Sequence, residues 1–211
     1  MPSLMLGILC ILVSVNSFDM KKLMYKVWSK FLTWFGNIKV FKFPMFLVYD
    51  PSDYTMDGKH IQEAMHILQP GDVVLRGYDH YLDGMFIDDP YKYSHGGLYV
   101  GNEKIVHAVA EGVSEIDAVD FMMCDRVCVL RPSRHRGEAV AKARKFAKDK
   151  VPYDFFFEKG ASKLYCFELC AEVYPKLDVK RIEFKKLFGL LKRNAYLADS
   201  FRKNSNFHIV F

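Results

Sequence analysis

Ser94-His95-Gly96-Gly97-Leu98-Tyr99-Val100, Gly101-Asn102-Glu103, Lys104-Ile105-Val106-His107-Ala108-Val109: two β-rich runs flank a short turn, the pattern of an antiparallel hairpin. The loop length decides what this hairpin carries. A three-residue loop, Val100-Gly101-Asn102, sets Tyr99 opposite Glu103 and, counting back, His95 opposite His107. Directly opposed residues share a face with Cβ atoms about 4.5–5.5 Å apart, so the imidazoles would touch. One could then act as a base and the other as its orienting partner. A two-residue loop sets His95 opposite Ala108 instead and turns the two rings to opposite faces. The plainer alternative is two unrelated histidines on a half-buried sheet. Gly96 and Gly97 favour a site, because they leave open space beside His95.

Downstream, Tyr165-Cys166-Phe167-Glu168-Leu169 opens a helical pattern. Amide dipoles at a helix start favour the thiolate, so Cys166 is a candidate low-pKa nucleophile, and the other cysteines should be ordinary. Unsatisfied N–H groups in that first turn could also hold an oxyanion. Against this, Cys166, Leu169, Cys170 and Val173 share one helical face, and most free cysteines are small core residues. A zinc site from Cys124, Cys128, Cys166 and Cys170 is disfavoured, since the second pair lies within a helix pattern rather than a knuckle. Glu168, two residues past the cysteine, points away from it on a helix and is expected to pair structurally.

Four motifs now stand in order: GDVVL at 71–75, YSHGGLYVGNEKIVHAV at 93–109, YDFFF at 153–157 and YCFELCAEVY at 165–174. The set resembles the circularly permuted papain-like enzymes of the NlpC superfamily, YaeF/YiiX type, over residues 68–211. In papain the cysteine precedes the histidine; here the histidine comes first, as in the permuted members. The resemblance implies an α+β, papain-like fold with a small antiparallel sheet packed against helices. It implies Cys166 as nucleophile, His95 as general base, His107 as the polar third member and Tyr165 as a support for the oxyanion. Two departures stand out: Phe167 occupies a position where serine is usual, and His107 replaces the commoner acid. A neutral imidazole orients a base less strongly than a carboxylate does. The implied activity is that of a cysteine hydrolase or acyltransferase on an amide or ester, with a cell-wall peptide or lipid-like acyl substrate. The alternative is a catalytically lapsed lipid-binding domain of the same fold. Neither cofactor, metal nor nucleic acid is called for.

The bulk of the chain fits this frame. Its 211 residues can bury a real core, half are hydrophobic, and the composition is that of a globular protein rather than a disordered or fibrous one. Five cysteines without regular spacing argue against a closed disulfide framework and lean towards a reducing, cytoplasmic or membrane-surface setting. Helices are expected over 20–36, around Ile61, Ala64, Met65 and Leu68, and over 137–150 and 164–174. Strands are expected over 72–76, 95–100, 104–109, 127–131 and 207–211, with 38–49 β-rich and 78–90 an acidic, aromatic loop.

The N-terminal region divides in two. Residues 1–19 hold an apolar run, 4–13, too short to span a bilayer and about right for a signal-peptide core. No Lys or Arg precedes it, and Met20-Lys21-Lys22 resembles a natural start, so the expectation is an apolar leader or a mis-called extension. Residues 20–56 form a basic, aromatic segment, ahead of the catalytic domain at 57–211. Between 20 and 49 lie six lysines and no acid, interleaved with Trp28, Phe31, Trp34, Phe35, Phe41 and Phe43. That mixture suits an anionic membrane surface. The plainer reading is a solvated basic face whose aromatics enter the core.

Overall fold

The computed structural model describes residues 17–36, 39–42, 45–48, 54–79, 93–158, 160, 162–186 and 191–211. At its centre is a six-stranded antiparallel sheet built from β3 (Val73–Gly77), β4 (Tyr93–Gly101), β5 (Lys104–Val109), β6 (Gly112–Asp117), β7 (Arg126–Pro132) and β10 (Phe207–Ile209), in the order β10-β7-β3-β4-β5-β6. Two hairpins stand outside it: β1 (Lys39–Lys42) with β2 (Met45–Val48), and β8 (Ile182–Lys186) with β9 (Leu191–Ala195). The helices are α1 (Ser17–Gly36), α2 (Gly58–Ile67), α3 (Ala118–Met122), α4 (Arg136–Lys148), α5 (Cys166–Glu172) and α6 (Ala198–Arg202). Mixed helices and antiparallel sheet give the expected α+β class. The leader, residues 1–16, and most of the 78–90 loop lie outside the described residues.

Strand alternation divides the core into two layers. Val73, Leu75, Leu98, Val100, Val106, Cys128 and Leu130 face α4 and α5. Val74, Tyr99, Ile105, Val127 and Val129 face α2 and α3 through Ala64, Leu68, Phe121 and Met122. Because both faces are covered, the central strands read as continuous apolar runs rather than alternating ones. Each fully buried Leu, Ile or Val stabilises the fold by about 1.5–3 kcal/mol relative to exposure.

Local chemistry explains the element ends. Asp57 caps α2 by accepting from the His60 amide at 2.9 Å. The Pro70-Gly71 stop then delivers the chain to β3, where buried Asp72 accepts from Arg131 Nε at 3.0 Å, from a second Arg131 nitrogen at 2.7 Å and from the Gln69 amide at 2.8 Å. This ties the entry of β3 to β7 across the sheet.

The hairpin register departs from the expected one. Asn102 and Glu103 both hold left-handed φ angles, 53° and 57°, which makes a two-residue turn between Gly101 and Lys104. A register shift between Tyr99 and Gly101 then absorbs one residue as a bulge. An even loop plus one bulged residue restores odd parity. The pairs are Gly97 with His107, Leu98 with Val106 and Tyr99 with Ile105. His95 is therefore the diagonal neighbour of His107, not its direct partner, and both still share a face.

Candidate active site

His95 and His107 meet. His95 Nε2 lies 3.1 Å from His107 Nδ1, with ring centroids 5.3 Å apart and the planes at 78°. Phe121 from α3 packs on both, at 5.6 and 5.7 Å between centroids. His107 is buried and opposite Gly97, whereas His95 stands near the β4 entrance. Burial, then the Arg76 charge, pushes His107 down to about 4. Burial, Arg76 and His107, in that order, hold His95 well below the usual imidazole range. Both rings are neutral at pH 7, so one N–H donates to the other's lone pair. The bond consumes Nε2 of His95 and leaves Nδ1 for another partner.

Arg76 was not singled out by the sequence, yet it sits at the centre of this cluster. It pairs with His95 across β3 and β4, and its guanidinium donates to the Phe121 carbonyl at 3.2 Å. The guanidinium carbon lies 4.6 Å from the Phe121 ring centre and 5.6 Å from that of Tyr78. Its Nε is buried without a partner among the described residues. The legible signal was a charge closing the apolar run Val73-Val74-Leu75.

Cys166 is the first residue of α5, with extended Tyr165 as N-cap. The YDFFF segment fixes this start: the Asp154 amide donates to the Leu164 carbonyl at 3.3 Å, and Tyr153 bridges Leu164. The thiol lies against the main chain of Gly96, the residue after His95, and is buried. Burial pushes it up to about 11, against the opposing pull of the Gly96 and Phe167 amides and of Arg76. The expected low-pKa thiol is thus corrected: at this helix start, desolvation outweighs the amide dipoles. Cys124 is raised to the same value, also by burial. Among the described residues no hydrogen bond joins Cys166 to His95 or His107.

The space expected beside His95 is filled. A Cβ on Gly96 would come 3.1 Å from the Phe167 ring, and one on Gly97 would come 2.6 Å from Ile105 Cγ2. These glycines admit neighbouring side chains rather than a substrate. Gly96 also marks the division between the layers: Phe167 of α5 covers its face, while His95 and His107 turn towards Phe121.

Tyr165 is buried with its ring 4.8 Å from Phe157. Its hydroxyl accepts the Tyr196 amide at 2.6 Å, which engages it away from the thiol. Glu168 differs from expectation. It is 1% exposed, and neither carboxyl oxygen has a hydrogen-bond partner among the described residues. Burial raises its pKa to about 7, opposed by the Gly160 main chain and reinforced by Asp154.

These features sit on a recognisable frame. A family model described as permuted papain-like amidase, YaeF/YiiX, C92 family, matches residues 67–205. The chain belongs to that family. The metalloprotein yiiX of Escherichia coli O157:H7 has a similar solved structure, with a TM-score of 0.56 and 17% identity. The match covers 69% of this chain and 97% of the other, and at that identity it speaks for the fold alone. No curated protein matches the sequence. Among the described residues, no three His, Cys, Asp or Glu side chains gather to hold a metal ion. The two cysteine pairs do not converge, since Cys124 packs in the α2–α3 layer and Cys128, Cys166 and Cys170 in the other.

Proposed function

We propose that this family member is a cysteine-nucleophile hydrolase or acyltransferase acting on an amide or ester bond through an acyl-enzyme on Cys166. The observation that carries the reading is the His95–His107 hydrogen bond, together with the Cys166 thiol lying against the main chain of Gly96, the residue after His95. Cys166 Sγ attacks the carbonyl carbon while its proton passes to His95 Nδ1, the nitrogen left open by His107. The main-chain N–H of Cys166 faces the developing oxyanion, with Tyr165 holding the helix start in place. As the C–N or C–O bond breaks, His95 returns the proton to the departing amine or alcohol. Water, or an acceptor amine or alcohol, then attacks the acyl carbon as His95 takes its proton, the C–S bond breaks, and His95 passes that proton to the departing Cys166 sulfur.

The resting state is a neutral thiol and a neutral imidazole, given the raised Cys166 and lowered His95. Proton transfer therefore accompanies attack instead of preceding it. Approach of His95 to the sulfur is part of substrate binding in this scheme. The substrate in this proposal is an acyl amide or ester of a peptide or lipid.

A second reading, a lapsed lipid-binding domain, draws on one observation: the buried thiol has no bond to either histidine. Labelling with a cysteine-directed acylating electrophile at neutral pH, followed by peptide mapping, separates the two. The catalytic reading expects Cys166 to be labelled about tenfold faster than Cys124. Equal labelling of both would leave only the second reading.

A further inference from the structure

We infer that α1 is an interfacial helix that docks this protein on a bilayer containing anionic lipid. The decisive observation is where its large apolar side chains lie. Leu23, Met24, Val27, Trp28 and Phe31 are 62, 60, 62, 42 and 44% exposed. They do not enter the core, so for Trp28 and Phe31, the two tryptophan and phenylalanine side chains of this stretch whose burial is described, the plainer reading fails. At 100° per residue the five occupy an arc of about 140° on one side of the helix. A contiguous apolar stripe of this kind marks an interaction surface, whereas singly scattered exposed residues do not.

The remainder of the helix circumference is equally ordered. Tyr25 and Ser29 lie across from the stripe and are half-buried. The Tyr25 ring meets Phe155 at 5.4 Å and Phe156 at 5.6 Å, its hydroxyl donates to the Tyr153 carbonyl, and Lys163 Nζ sits 4.4 Å from the ring centre. The helix is thus held by one edge on the YDFFF segment, which also fixes the start of α5. Lys26 and Lys30 are exposed and border the apolar arc. The mean charge of the region is one-sided, with six lysines and no acid between residues 20 and 49.

Charge selects the occupant. A second copy of this chain would set Lys22, Lys26 and Lys30 against the same lysines around the stripe, with Asp19 as the one acid of the helix to offset them. An anionic headgroup layer complements the lysines while the stripe enters the acyl boundary, the arrangement of an amphipathic surface helix. None of the described helices is long and apolar enough to cross a membrane, so α1 lies on the surface in this proposal. The docking stands whether or not Cys166 is chemically active.

The test is co-sedimentation of the full chain with phosphatidylcholine vesicles and with phosphatidylcholine–phosphatidylglycerol vesicles. Three proteins are compared: wild type, Leu23→Asp/Val27→Asp, and Lys26→Glu/Lys30→Glu. Because all three keep residues 1–19, any contribution of the apolar leader is constant. The substituted side chains are exposed, and circular dichroism checks that the fold persists. The proposal expects wild type to pellet with the anionic vesicles and to be released as salt rises. It expects the aspartate pair to lose binding about tenfold or more and the glutamate pair to lose the preference for anionic lipid. Equal binding to both vesicle types, or no effect of the aspartate pair, would overturn it. So would a concentration-dependent dimer in sedimentation velocity that the aspartate pair abolishes.

Discussion

Arg76 is the charge that the site shares. Its guanidinium lowers His95, His107 and Cys166 alike, and each lies on a different element or strand. Replacing it with glutamine should raise all three, because a fixed positive charge opposes imidazolium and favours thiolate. The histidine shifts can be followed by NMR titration of the ring signals; His95 and His107 signals that titrate as in wild type would contradict this. The sequence showed the two histidines clearly, and parity alone brought them to one face. The diagonal pairing was not legible, because a bulge at Val100 depends on how Gly101, Asn102 and Glu103 share positive φ, and alternation does not record that. The thiol was misjudged for a different reason. A helix start is visible in sequence, but the burial that overrides it comes from packing of α5 on β4.

At the scale of elements, the Asp72–Arg131 pair is the firmest tie between helix, turn and sheet. Asp72 is fully buried and accepts three hydrogen bonds. Asp72→Ala should destabilise the protein by about 3 kcal/mol, since it strands the Arg131 charge and the Gln69 amide. Chemical denaturation would measure this, and a loss under 1 kcal/mol would show that water takes over the bonds. The helices α2, α4 and α5 and strands β3, β4, β5 and β7 were legible because apolar periodicity marks them. β6 and α3 were not: Gly112-Val113-Ser114-Glu115-Ile116-Asp117 exposes Ser114 and Glu115 on a sheet edge, and α3 is a five-residue helix. The β8–β9 hairpin was not legible because lysine and arginine supply four of its ten strand residues and interrupt the apolar alternation.

Across the whole molecule, buried titratable groups pull stability in opposite directions with pH. His107 is lowered from 6.5 to about 4, so its contribution is full above 6.5 and is lost as pH falls towards 4. His95 acts in the same sense. Glu168 is raised from 4.5 to about 7, so its contribution is full below 4.5 and is lost as pH rises to 7. Glu168→Gln should therefore stabilise the protein at pH 7 by on the order of 1–2 kcal/mol and leave acid stability unchanged. Thermal unfolding across this range would show it; a variant less stable at pH 7 would mean that the carboxylate has a partner in solution.

The central claim is that His95 removes the Cys166 proton during attack. The most direct test is the rate of Cys166 acylation against pH, in wild type and His95→Ala, read by mass spectrometry of the Cys166 peptide. With a neutral base in place, the wild-type rate should be flat across neutral pH, because His95 is already unprotonated there. The variant should be slower and should climb about tenfold per pH unit towards the thiol value near 11. A wild-type rate that climbs in the same way, and that His95→Ala leaves unchanged, would contradict the account.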